Sequence, residues 1–194
     1  MNDLQTRDHL LATAAGLFYE RGIQAVGIDE IRTAAGTSLR RLYQCYPSKE
    51  RLVEAYLERR DRIWLASLES YVDRHADPRQ RILAIFGFLA EWFTEPGFRG
   101  CAFINAFGEL GSGSQAVRRL ALGHKARLRR YLTGLAVAAG ATAPRVLAGQ
   151  LLILVDGAIV SAATGANLRA AAHARAAARP LLAAACPDRA GEPA

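Results

Sequence analysis

The chain has 194 residues, of which 51% are apolar, and a formal net charge of +7. That length and apolar fraction exclude wholesale disorder and allow one compact domain, or a small domain joined to a larger one. The charge points to an anionic partner without locating it, and three scattered cysteines (Cys45, Cys101, Cys186) exclude a disulfide framework or zinc site, reading instead as free thiols of a reducing cytosol.

Apolar residues recur at helical spacing almost throughout, with no repeat period and no convincing strand, so an all-α chain of about nine helices is expected. The opening segment "MNDLQTRDHLLATAAGLF" lacks the basic start and long apolar run of a secretory leader. Its pattern predicts a helix over about 3–21, with Leu10, Ala14, Leu17 and Phe18 on one face and Gly22 as its stop. A short helix over about 28–35 ends at Gly36, and one of about two turns follows from Ser38 to Cys45. Pro47 disfavours helical geometry at Tyr46 and closes it. Ser48 is then a good N-cap, with Glu50 in the first turn, for a long helix to about Arg74.

Beyond Pro78 the helices are more apolar. One carries Ile82, Ile85, Phe86, Leu89 and Phe93 and stops before Pro96-Gly97. "CAFINAFGEL" is a short helix between Gly100 and Gly111, 115–139 a long one, 144–165 another, and 168–185 an Ala-rich last one. The window "LAGQLLILVDGAIVSAATGA" is apolar, but Asp156 and its glycines fit a buried helix better than a membrane span. The tail "PDRAGEPA" (187–194) is expected to be disordered. Three helices before residue 50 and six after it place a domain boundary there: 1–50, then 51–186.

The stretch "AAGTSLRRLYQCYPSKERL" (34–52) carries the most chemistry. Helix, glycine turn and two-turn helix outline a helix-turn-helix, whose second helix lies in the DNA major groove. From Ile31 to Lys49 there are four basic residues and no acidic one, although residues 1–50 as a whole carry six of each. The signal is therefore patterning rather than net charge. Arginine reads guanine O6 and N7 with two bonds, Tyr43 and Tyr46 offer hydroxyls to phosphates, and Ser48-Lys49 sit at a helix start that favours a phosphate.

These residues resemble the DNA-binding domain of the tetracycline-repressor (TetR) family of transcriptional regulators. The resemblance runs through "RDHLLATAAGLFYERG" (7–22), "IRTAAGTS" (31–38) and "LYQCYPSKERL" (42–52), in that order. It implies phosphate contacts for Tyr43 and Lys49, and base reading by Ser38, Leu39, Arg40, Arg41 and Gln44. Three departures stand out: Arg40-Arg41 replace the family's usual Gly-Thr, Gly27 replaces a hydroxyl at the second helix's N-cap, and Cys45-Tyr46 replace a frequent His/Phe pair.

For the remainder, the resemblance implies an all-helical domain that binds a small-molecule effector and dimerises through the last two helices. Ala158, Ala162, Ala163, Gly165 and Ala166 would allow close helix approach there. "FRGCAFINAFGEL" and "LLILVDGAIVSA" also look like one common branch of the family. Trp64, Phe86, Phe103 and Phe107, with Asn105, Glu109 and His124 as polar points, are candidate effector contacts, since such pockets are mostly apolar with a few placed polar groups. Core packing is the competing reading for each aromatic, and a solvated or satisfied role for His124. Asp156 should be paired, neutralised or at an interface edge, in a structural hydrogen bond rather than as a ligand counter-ion. Cys101 reads either as an inert buried thiol or as an oxidation or electrophile sensor. Six basic residues between Arg118 and Arg130 read as a solvated helix face or an anion-attracting one.

The reading is a cytoplasmic homodimer that binds a palindromic DNA operator and is released by an effector, with Ile63, Trp64 and Leu68 coupling the two events. No membrane partner, cofactor, metal or catalytic residue is expected. The alternatives are an activator, a regulator without ligand, or a helical enzyme or carrier with a vestigial motif; no phosphate loop, metal spacing or nucleophile-base pair supports the last.

Overall fold

The computed structural model describes residues 3–167 and 169–187. The tail expected to be disordered lies outside these residues beyond Pro187. Among the described residues there are nine helices and no strand. In chain order they are α1 (Asp3–Arg21), α2 (Ile28–Ala34), α3 (Leu39–Cys45), α4 (Lys49–Val72), α5 (Pro78–Thr94), α6 (Ala102–Leu110), α7 (Gln115–Ala138), α8 (Pro144–Ala163) and α9 (Ala170–Ala185). The chain divides into two compact units. One holds residues 3–64 and 101–124, the other 65–100 and 125–187, so two of the three divisions fall within α4 and α7 and the third just before α6.

In the first unit, α1 buries Thr6, Leu10, Leu11, Ala14 and Phe18, the face that i, i+4 spacing brings together. At the end of α2 the Gly36 N–H bonds the Thr33 carbonyl at 3.1 Å and the Thr37 N–H bonds Arg32 at 2.9 Å. This pair of bonds closes a helix end only when the intervening residue is left-handed, and Gly36 has φ 59°. Ser38 then caps α3, its hydroxyl accepting the Arg41 N–H at 3.2 Å. Ser48 does the same for α4 through Arg51, at 3.3 Å. Between these caps Leu42, fully buried, ties α3 to a core that includes Ile31, Leu52, Leu57 and the Phe18–Tyr56 ring pair, centroids 5.6 Å apart. Side chains of this size contribute about 1.5–3 kcal/mol each when fully buried.

In the second unit, α5 starts on an Asp77 cap that accepts the N–H groups of Arg79 and Gln80, with Pro78 in the first turn. Ile82, Ile85, Phe86 and Leu89 of α5 are buried, and α9 packs on both α5 and α8. The close packing follows from the small residues Ala170, Ala171, Ala174 and Ala178 on the buried side of α9. Arg79 reaches back to the Cys186 carbonyl at 2.5 Å, giving the last turn of α9 a cationic partner. By length and composition α8 could cross a membrane, yet Leu147, Leu151, Val155 and Ile159 are buried within this unit. Asp156, the charge inside that helix, is paired with the Lys125 ammonium at 2.5 Å.

Candidate nucleic-acid interface

The two turns of α3 have two distinct sides. Leu42 points inward with no exposed surface, while Leu39 and Tyr43 are 42% and 44% exposed despite their apolar rings and chains. Arg40 and Gln44 are exposed on the same outer side, and Ser38 stands exposed at the cap. Leu39 and Tyr43 thus stand exposed together on a helix framed by a glycine turn and a serine cap. Lys49 begins α4, half-buried. The Glu50 carboxyl beside it lies below the usual carboxylate range because the Ser48 hydroxyl and its own backbone N–H stabilise the ionised form.

Two residues of the expected DNA set behave differently. Tyr46 is 2% exposed; its hydroxyl donates to the Arg7 carbonyl at 3.3 Å and the Arg7 guanidinium lies 4.8 Å from its ring centre. Burial raises its phenol pKa. Tyr46 thus departs from the expected phosphate contact: its position at the C-cap of α3, extended before Pro47, turns the ring into the core. Arg41 is turned back along the protein. One terminal nitrogen meets the Asp3 carboxylate of α1 and the other lies 3.4 Å from the Gln44 amide oxygen. The Arg41 partner lowers the Asp3 pKa, and Asp3 raises that of Arg41, in both cases mainly through the hydrogen bond.

The candidate effector residues divide into groups. Trp64 of α4, Phe103 of α6 and His124 of α7 come together, 7%, 2% and 4% exposed. The imidazole stacks on Phe103 (centroids 4.0 Å apart, planes 6° apart) and meets Trp64 edge-on at 5.6 Å. Its Nδ1 lies 2.7 Å from the Asp61 carboxylate, itself buried. Sequence reasoning missed Asp61, although a signal existed: Leu57, Asp61, Trp64 and Leu68 share the 4-3-4 spacing of one helix face, and only one of them is charged. Phe86 lies in the core of the second unit, and Asn105 and Phe107 are exposed. Glu109 is held at the α1–α2 turn, where Gln24 bonds it twice. The same carboxylate lines a cleft of about 490 Å³ with Lys49, Glu50 and Glu54 and the apolar Ile23, Val53, Leu110 and Val117. Cys101 is buried at the N-cap of α6. Of the basic stretch, Arg118 bonds the Gly111 carbonyl and Lys125 bonds Asp156, whereas Arg119, Arg129 and Arg130 are exposed.

A glycine turn, a capped two-turn helix with an outward polar-aromatic face, and a core that fixes it against two flanking helices define a helix-turn-helix protein of the regulatory class. Residues 10–56 match the sequence profile of bacterial regulatory proteins of the tetR family. A solved TetR-type transcriptional regulator from Streptomyces avermitilis is 33% identical, with 93% of this chain and 97% of that one aligned at a TM-score of 0.82. The chain belongs to the TetR family of transcriptional regulators. Among curated relatives, the transcriptional repressor KstR2 of Mycobacterium tuberculosis is 37% identical over 81 residues. The transcriptional activator FasR of Mycolicibacterium smegmatis is 36% identical over 80. Each of these alignments takes 41% of this chain, and they span 40% and 36% of the two relatives.

Proposed function

We propose that the protein is a cytoplasmic homodimeric repressor, not an enzyme, that binds a two-fold operator through α3 and leaves it when a small molecule binds. The observation that carries this is the outward face of α3: Leu39, Arg40, Tyr43 and Gln44 exposed on a helix anchored by the fully buried Leu42. In this reading residues 1–50 form the DNA-binding domain. Ser38, Leu39, Arg40 and Gln44 face the bases, Tyr43 and Lys49 hold phosphates, and Arg41, expected among the base readers, is held by Asp3 instead.

Residues 51–186 would dimerise and bind the effector. A dimer is supported by the apolar row Val146, Ile153 and Val160 on α8, 60%, 72% and 44% exposed in the single chain. Positions seven apart recur on one helix face, and an exposed apolar row of this length calls for a partner. Dimerisation sets two α3 helices about one DNA turn apart. An effector with different affinity for two arrangements of α4 would change that spacing. Ile63, Trp64 and Leu68 lie on this helix, and Trp64 packs directly on His124. The likeness to KstR2 supports repression, and the likeness to FasR supports an activator as the second reading.

Selection of duplexes from a random DNA library by the purified protein tests this. A palindromic consensus is the expected result, with reporter expression under that operator falling in the protein's presence. Salt-sensitive binding without a consensus would overturn sequence-specific reading. A rise in reporter expression would instead establish the activator.

A further inference from the structure

Arg40 and Arg41 are neighbours on α3, and a helix separates consecutive side chains by roughly 100°. The protein treats them differently. Arg40 is exposed on the outer side with Tyr43 and Gln44. Arg41 folds back, with one terminal nitrogen on the Asp3 carboxylate and the other 3.4 Å from Gln44 Oε1.

We propose that Asp3 is a specificity-determining residue: by engaging Arg41 it decides that Arg40, not Arg41, reads the operator. This rests on the reading of α3 as the recognition helix. A guanidinium identifies guanine by presenting two N–H donors to O6 and N7 together. In Arg41 both terminal nitrogens already face acceptors of the protein. The carboxylate also cancels the guanidinium's charge, so Arg41 releases little of the duplex's counterion atmosphere while the pair is intact. The Asp3 side chain is 90% exposed, so its replacement leaves the core untouched. Exposure also makes the pair sensitive to salt, and its influence is greatest at low ionic strength.

The test uses the full-length protein as wild type, Asp3→Asn, Arg40→Ala, Arg41→Ala and Asp3→Asn/Arg41→Ala, with duplex selection and binding to the selected duplex across a salt series. In the wild-type background, Arg40→Ala is expected to weaken binding about tenfold or more and Arg41→Ala less than about threefold. Asp3→Asn is expected to steepen the slope of log affinity against log salt by about two, one for the Arg41 of each protomer. In that background Arg41→Ala should cost about tenfold, and the selected half-site should gain a guanine.

An equal cost of Arg41→Ala in both backgrounds would overturn the proposal. So would Asp3→Asn tightening binding as much without Arg41 as with it, since the carboxylate would then merely repel phosphates. A wild-type protein that selects no sequence overturns the DNA-reading proposal itself, an outcome distinct from either.

Discussion

The Glu109 carboxylate accepts the backbone N–H of Gln24 at 2.8 Å, and the Gln24 side-chain amide donates to the Glu109 carbonyl at 2.5 Å. The end of α6 is thereby fastened to the turn between α1 and α2, across 85 positions of sequence. Hydrogen bonds to a charged acceptor contribute about 1.5–3 kcal/mol when shielded and less at a half-exposed site. Glu109→Ala is therefore expected to lower unfolding stability by about 1–2 kcal/mol, read from the urea midpoint. An unchanged midpoint would mean that water replaces the carboxylate at no cost.

The buried Asp61–His124 pair makes a stronger demand. Removing one partner takes away a hydrogen bond between two buried polar groups, at a cost of about 1–3 kcal/mol. Asp61→Ala and His124→Ala are each expected to destabilise by amounts near that range. The double replacement should cost less than their sum, because the hydrogen bond the two share is lost only once. Denaturant unfolding of the two single variants and the double variant measures this coupling, and additive costs would remove the pair from the account.

Gly36 permits the turn on which α3 stands. An alanine there keeps φ near 59° only with its Cβ crowded against the backbone, which costs about 1–2 kcal/mol. The surrounding space is open, so the backbone conformation alone sets the cost. Gly36→Ala is expected to lower the melting temperature and to weaken operator binding, both measurable on one preparation.

Alkaline pH should destabilise the fold through its buried phenols. Burial pushes Tyr131 up to about 12 and raises Tyr46, Tyr56 and Tyr71 as well. A folded-state pKa above the unfolded value of about 10 means that the native state holds the proton more tightly. This stabilisation is complete below about pH 10 and is lost as pH rises through the folded values. Unfolding stability should therefore fall steadily above about pH 10, and the ultraviolet signal of ionised tyrosine should lag behind that of the unfolded chain.

If α8 forms the dimer face, a charge in its most exposed apolar position should separate the protomers. Ile153 is 72% exposed in the single chain. Ile153→Glu should sediment as a monomer with unchanged helical content and bind the operator far more weakly. A variant that remains dimeric would place the interface elsewhere.

Much of this could be read along the chain. The helix order, the stops at Gly22 and Gly36, the Ser38 and Ser48 caps and the break before Pro47 all depend on neighbours within four or five residues. Backbone φ, a hydroxyl facing a free N–H and a 3.6-residue period are local properties, so sequence by itself determined the elements and the outer face of α3. The recognition stretch was legible because its glycine, caps and arginines stand close together.

Partnerships between helices were not legible. Asp3 with Arg41, Asp61 with His124 and Gln24 with Glu109 lie 38, 63 and 85 positions apart. His124 could as well have been solvated, and Glu109 could have faced a ligand. Tyr46 passed for a DNA contact because nothing near it in sequence shows that its ring turns onto Arg7. Which polar group meets which depends on how whole helices pack, and that is decided by the sum of apolar burial across the unit. Only the tertiary structure shows that one of two adjacent arginines is held by an acid from the first turn of the chain.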